Sequence, residues 1–229
     1  MTPDPGIGVV IVAAGSGVRF GDAGKALAPL AGRPVLAWSL SLFASLPIVS
    51  EIVVVAGPHT QAGCLMLIGA VSHPHVSVVS GGATRADSVR SGLAALGPGC
   101  THVAVHDAAR PLVTAALVRR VVDAALEGGA AVPVVPVGDT LHVISSDGAI
   151  ASTPDRGPLR AAQTPQVARR DWLEQAYRVA DGTTDEGGLL HAAGYPVALV
   201  DGDPANLKIT WPEDLLLAEA LLAAREGAR

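Results

Sequence analysis

Gly8-Val9-Val10-Ile11-Val12-Ala13-Ala14-Gly15-Ser16-Gly17-Val18-Arg19-Phe20, with Lys25 close behind, is the stretch around which the chain is organised. Its apolar run is rich in β-branched residues and short enough for a buried strand. The glycines after it permit backbone conformations and close approaches that a Cβ would block. Backbone N–H groups in such a loop can wrap an anion, while Arg19 contributes a planar fork and Lys25 a mobile point charge. A structural turn carrying two solvated cations would look the same, and the loop alone does not separate the two. Its spelling does exclude two familiar phosphate loops. A Walker loop needs Gly where Arg19 stands and Ser or Thr where Ala26 stands, and a dinucleotide fingerprint starting at Gly15 needs a small residue where Phe20 stands.

Moving outward, strands and helices alternate. The pattern predicts a helix from Val35 towards Pro47, a strand at Glu51–Val55, a short helix over about 60–68 and a strand at Val76–Val79. A helix over about 85–96 follows, then a strand ending in His106-Asp107, a helix over about 114–126 and a strand at about 130–137. The prolines of that last strand, Pro133 and Pro136, disfavour a fully paired central position. This rhythm specifies a mostly parallel sheet with helices on both faces and ligands outside the carboxyl ends of its strands. It breaks at Asp139–Ser152, where Asp147-Gly148 marks a hairpin turn. A two-stranded ribbon is marginal alone, so this arm, at about 138–160, must lean on something, either a second subunit or its own domain.

Composition bounds the function. At 229 residues, with no linker dividing it, the chain is expected to form one domain spanning 1–229. A net charge of −5 argues against a general nucleic-acid surface, so cations that meet a charged ligand must be concentrated in one place. Apolar runs break well short of the roughly 20 residues a membrane helix needs. The start carries no basic signal-like region, and Cys64 and Cys100 have no metal spacing, which together point to a cytoplasmic protein with reduced thiols.

Several residues then gather at the predicted carboxyl edge. Gly81-Gly82-Ala83 opens a helix carrying Ser88; it reads as a turn, or as main chain touching a flat base with the hydroxyl of Ser88 alongside. Asp107 ends a buried strand, where it reads either as a helix cap or as a magnesium ligand beside phosphate. His106 reads as a packed strand end, having no His partner at metal spacing. Thr140 and Arg156 lie at the base of the arm, Thr184-Asp185-Glu186 opens a helix, and Lys208 points away from Leu207 and Ile209 in an extended segment.

In combination and order these motifs resemble the 2-C-methyl-D-erythritol 4-phosphate cytidylyltransferases of the non-mevalonate isoprenoid pathway. The carriers are Ala13-Ala14-Gly15-Ser16-Gly17 with Arg19 and Lys25, Gly81-Gly82 with Arg85-Ala86-Asp87-Ser88, and Val105-His106-Asp107-Ala108-Ala109-Arg110-Pro111. Asp139-Thr140, Asp155-Arg156, Gln163-Thr164-Pro165-Gln166, Thr184-Asp185-Glu186 and Asn206-Leu207-Lys208-Ile209-Thr210 complete the set. Gly24, Ala26, Ala205, Gly187 and Gly188 depart from the residues common at those places.

The resemblance implies a Rossmann-like nucleotidyltransferase that joins CTP to methylerythritol phosphate with Mg²⁺ and releases pyrophosphate. It implies CTP held by Ala13, Ala14, Gly15, Ser16, Gly17, Gly82, Ala83 and Ser88, catalysis by Arg19, Lys25 and Lys208, and metal on Asp107. Thr140 and Arg156, from a neighbouring subunit's arm in a homodimer, would bind the acceptor with Thr184, and Arg110 has no assigned role. The competing readings are a nucleotidyltransferase for another polyol or sugar phosphate, and a catalytically silent nucleotide-binding module.

Overall fold

Alternation along β1 (Gly6–Ala13) divides the protein into two layers around one sheet. The computed structural model describes residues 6–15, 20–21, 24–179 and 184–227. Val9 and Ile11 face one side with α1 (Val35–Ser45), α2 (Gln61–Ile68) and α4 (Ala115–Gly128). Val10 faces the other, with α3 (Arg85–Ala95), α5 (Arg170–Val179) and α6 (Glu186–Ala192). The pleat sends neighbouring side chains to opposite faces, so a near-continuous apolar strand is what a doubly covered sheet requires. The expected helices on both faces are present.

Short pairs β2 (Pro29–Leu30) and β3 (Arg33–Pro34) precede α1. The main strands follow: β4 (Val49–Ala56), β5 (Val76–Ser80), β6 (Cys100–Asp107) and β7 (Ala130–Pro136). The arm holds β8 (Val143–Ile144) and β9 (Ile150–Ser152), antiparallel, with Gly148 at φ +84° in the turn. β10 (Arg160–Ala162), β11 (Gln166–Arg169) and β12 (Ala198–Asp201) close the sheet, and α7 (Asp214–Gly227) packs over Leu30, Leu112 and Ile209.

β1 runs parallel to β4 on one side and β6 on the other, and β5 extends the β4 edge. The chain therefore reverses direction across the sheet at the β1–β6 crevice, where open α/β sheets take ligands. Beyond β6 the sheet turns antiparallel through β11, which lies between β6 and β7, and parallel again at β12.

The expectation that prolines keep β7 from a central place is corrected: β12 pairs along it, and β10 and β11 pair on its antiparallel side. Pro133 falls where one antiparallel partner ends and the next begins, and its carbonyl accepts from the Gln163 N–H at 2.8 Å. The missing donor of Pro133 thus sits at a break between partners, which removes the expected penalty. Both thiols, Cys64 and Cys100, are buried and unbridged. No helix among the described residues is long and apolar enough to cross a membrane.

One glycine is demanded by this layering. Gly129 ends α4 at φ +89°, and a Cβ there would stand 2.3 Å from the Trp172 ring. Gly129→Ala is expected to lower the unfolding free energy by about 2 kcal/mol, measured by denaturant titration, through both left-handed strain and displacement of Trp172.

Candidate active site

Three loops at the carboxyl edge enclose a cleft of about 410 Å³. Ala13, Ala14 and Gly15 leave β1; Gly82, Ala83 and Thr84 lead from β5 into α3; Asp107, Ala108 and Ala109 leave β6. Lys25 reaches the cleft from a single 3-10 turn at Lys25–Leu27, and Lys208 from the segment before α7.

Close packing of small residues brings the first two loops together. A Cβ on Gly81 would lie 2.5 Å from the Ala14 Cβ, and one on Gly82 would lie 2.3 Å from the Asp87 Cβ. Thr84 and Asp87 cap α3 reciprocally, the Asp87 N–H donating to Thr84 Oγ1 at 3.0 Å and the Thr84 N–H to Asp87 Oδ2 at 3.1 Å. Ser88 supports this loop from beneath: its hydroxyl accepts from the Gly82 N–H and donates to the Thr84 carbonyl. The cleft therefore meets the N-terminus of α3, where orphan N–H groups favour an anion.

Asp107 is the electrostatic centre. Its carboxylate receives Lys208 Nζ at 2.6 Å on Oδ2 and Arg85 Nε at 3.4 Å on Oδ1. Burial by itself would raise its pKa, but Lys208 and Arg85 outweigh burial and hold it well below the ordinary carboxylate range. Asp107 is thus charged at neutral pH.

A polar column fixes the backbone of Asp107 from behind. The Asp107 N–H donates to Thr164 Oγ1 at 3.1 Å, Thr164 Oγ1 lies 3.1 Å from His106 Nδ1, and His106 Nε2 lies 3.2 Å from the Arg110 carbonyl. A carbonyl can only accept, so His106 carries its proton on Nε2, and its Nδ1 accepts from Thr164. His106 is fully buried, edge-on to Phe43, and burial pushes its pKa down to about 4 despite the pull of Asp107. The reading of His106 as a packed strand end holds.

Lys208 is held on both sides. Arg110 Nη1 donates to the Asn206 carbonyl at 2.7 Å, Asn206 Nδ2 to the Thr164 carbonyl at 2.9 Å, and the Ile209 N–H to the Ala109 carbonyl at 2.8 Å. Asn206 and Ile209 are buried, which leaves the intervening Lys208 aimed at Asp107. Arg110 gains a position here, as a brace on the segment that carries Lys208.

The structure brings together Lys25, Lys208, Asp107, Ala13, Ala14, Gly15, Gly82, Ala83 and Ser88. Ser16, Gly17 and Arg19 lie outside the described residues. Thr140, Arg156 and Thr184 are exposed and do not line this cleft. Arg156 donates to the Gly138 carbonyl, and Thr184 precedes Asp185, the N-cap of α6.

Sequence reasoning missed the role of Glu186, which it placed only in the run that opens a helix; Glu186 is 1% exposed and binds Arg85 with both oxygens. The signal available was Gly187. A Cβ there would lie 2.7 Å from Val132 Cγ2, so α6 approaches the sheet closely enough to bury its first turn.

A doubly wound sheet with a cationic cleft at its switch point defines an α/β protein with a site suited to a phosphate-bearing ligand. A family profile described as IspD, 2-C-methyl-D-erythritol 4-phosphate cytidylyltransferase, matches residues 7–224. The chain belongs to that family. It is 41% identical to the 2-C-methyl-D-erythritol 4-phosphate cytidylyltransferase of Prochlorococcus marinus, over 95% of this chain and 98% of the relative. It is 45% identical to the enzyme of the same description from Symbiobacterium thermophilum, over 94% and 92%. The crystal structure of 2-C-methyl-D-erythritol 4-phosphate cytidylyltransferase from Thermus thermophilus superposes with a TM-score of 0.77 at 37% identity, covering 94% of this chain and 98% of that one. The 4-diphosphocytidyl-2C-methyl-D-erythritol synthase of Anaerococcus prevotii gives a TM-score of 0.83 at 27% identity, over 96% and 99%.

The buried imidazole has a pH consequence. Its pKa is depressed in the folded protein, so the unfolded chain binds the extra proton between pH 6.5 and about 4, and stability falls as pH drops through that window. Between pH 7 and 5 the loss is expected on the order of 2 kcal/mol. His106→Asn should flatten that slope in denaturant titrations at the two pH values.

Proposed function

We propose that this chain transfers a cytidylyl group from CTP to 2-C-methyl-D-erythritol 4-phosphate. An oxygen of the acceptor phosphate attacks the α-phosphorus of CTP, a new P–O bond forms, the α–β bridging bond breaks, and pyrophosphate leaves. The observation that carries this reading is the convergence of Lys25, Lys208 and Asp107 on one cleft at the switch point of the sheet.

Two polyanions repel, so the protein must hold them in line and neutralise the charge that builds between them. Lys25 and Lys208, joined by Arg19, serve that end around the triphosphate, and no protein nucleophile is required. Among the described residues of these two loops, Ala13, Ala14, Gly15, Gly82 and Ala83 carry nothing beyond a methyl, which leaves room for a flat base. Ser88 keeps that loop in shape.

The donor set fits a magnesium ion of the kind that phosphates help to hold. Asp107 offers a charged carboxylate at the cleft, and no group of three His, Cys, Asp or Glu side chains forms a cage among the described residues. Mg²⁺ commonly takes one or two carboxylates and draws its remaining ligands from phosphate and water. Bound at Asp107, it supplies positive charge to the phosphate oxygens.

The acceptor side belongs to the arm of a second subunit in this reading. Leu141, Val143, Ile144 and Ile150 of the arm expose 40%, 51%, 59% and 60% of their surface, which favours a neighbour. Thr140 and Arg156 would then reach the cleft of that neighbour, opposite its Thr184. A subunit without a membrane-spanning helix among its described residues and with two reduced, buried thiols suits the cytoplasm.

Pyrophosphate release from CTP and methylerythritol phosphate, with other nucleotides and polyol phosphates in competition, tests the substrate assignment. Lys25→Ala is expected to lower kcat by about a thousandfold with a small change in KM for CTP, while Arg156→Ala mainly raises KM for methylerythritol phosphate. Mixing the two variants under conditions of subunit exchange, at low acceptor concentration, tests the shared site. Random exchange should restore about a quarter of wild-type turnover, because half the molecules become mixed dimers with one intact site each. Sites built within one chain would restore none.

A further inference from the structure

An ion network that the transfer chemistry does not itself use borders the cleft, where Arg85 is part of the lining. Arg85, in the first turn of α3, sends Nη1 and Nη2 to the two carboxylate oxygens of Glu186, at 2.7 and 3.0 Å. The same Glu186 accepts from the Tyr177 hydroxyl at 2.8 Å. Glu186 is drawn from α6 and Tyr177 from α5, so three elements of one layer meet at a buried carboxylate.

The network's reach to the cleft is uneven. With the fork of Arg85 engaged, only Nε faces Asp107, and its 3.4 Å contact is long beside the 2.6 Å of Lys208 on the other oxygen. A guanidinium matches a carboxylate best through two parallel N–H groups. Two carboxylates therefore compete for one fork, and Glu186 holds it. Were Glu186 neutral, Arg85 would carry an unbalanced charge with Asp107 as the carboxylate within reach, and turning the fork towards Asp107 would occupy Oδ1.

We propose that Glu186 is a positioning residue that, by holding the Arg85 fork, leaves only the long Nε contact on Oδ1 of Asp107 and so keeps that oxygen available to a divalent cation. Tyr177 orients Glu186 for this task. The purpose of the cation rests on the transferase reading given above, but the assignment of Glu186 does not depend on the acceptor. Charge partition within the network matters more than its mere presence: Arg85 between two acids is balanced, and Arg85 beside one is a competitor.

The test measures Mn²⁺ binding, alone and with CTP, in the absence of any acceptor, by electron paramagnetic resonance of the free ion. Glu186→Gln is expected to weaken Mn²⁺ binding by about tenfold. The double variant R85Q/E186Q, which removes the competitor as well, is expected to bind Mn²⁺ at least as tightly as wild type. A purely structural role would weaken both variants, so a double variant as weak as E186Q, or weaker than wild type where E186Q does not fold, overturns the proposal. Binding by E186Q within about twofold of wild type overturns it too, as does absence of Mn²⁺ binding by the wild-type protein. Pyrophosphate release by the wild type is scored separately: its failure with methylerythritol phosphate removes the transferase reading, while the Mn²⁺ comparison still decides the role of Glu186.

Discussion

A carboxylate kept charged at the edge of an apolar sheet is the constraint on which the rest of the architecture turns. Asp107 is buried, where ionisation is expensive, and it stays ionised because Lys208 and Arg85 stand against it. Each of those cations needs support in turn. Arg85 is satisfied by Glu186, and the segment bearing Lys208 is braced by Arg110 and Asn206. Removing one member of a buried pair typically costs about 3–5 kcal/mol, because the survivor is left charged and unmatched. That interdependence explains why pairs 101 positions apart in the chain, Arg85 with Glu186 and Asp107 with Lys208, form one network.

The sheet makes this network possible by where its strands end. β1 and β6 run parallel, so both loops open on the same edge, and the reversal of strand order between β4 and β6 leaves a crevice there. Helix α3 then aims its N-terminus at the crevice, with the Thr84–Asp87 capping box fixing the entry angle. The polar column from the Asp107 N–H through Thr164 and His106 ties the end of β6 to the turn before β11, so the backbone that carries the carboxylate cannot shift without breaking buried hydrogen bonds.

Much of this was readable from residue order. β-Branched runs ending in Gly-rich or acidic loops predicted the strands and the shared edge, and the helix limits agreed to within a few residues. Other features were not readable. Pro133 looks like a strand breaker until β10 and β11 are seen to leave a gap opposite it, and the antiparallel insertion of β11 has no local signal because Gln166–Arg169 is only four residues long. Glu186 was legible only as part of a run that opens a helix, and Arg110 had no role, since both act through residues distant in sequence.

Local composition and periodicity determined the fold class, the two covered faces and the hairpin arm, because burial pattern and turn chemistry are properties of neighbouring residues, while the resemblance to the family rested on the order of its motifs. Tertiary structure alone decided which charges meet: that Lys208 reaches one oxygen of Asp107 and Arg85 the other, and that Glu186 takes the fork. Electrostatic pairing depends on distance and burial in three dimensions, and neither is encoded in spacing along the chain.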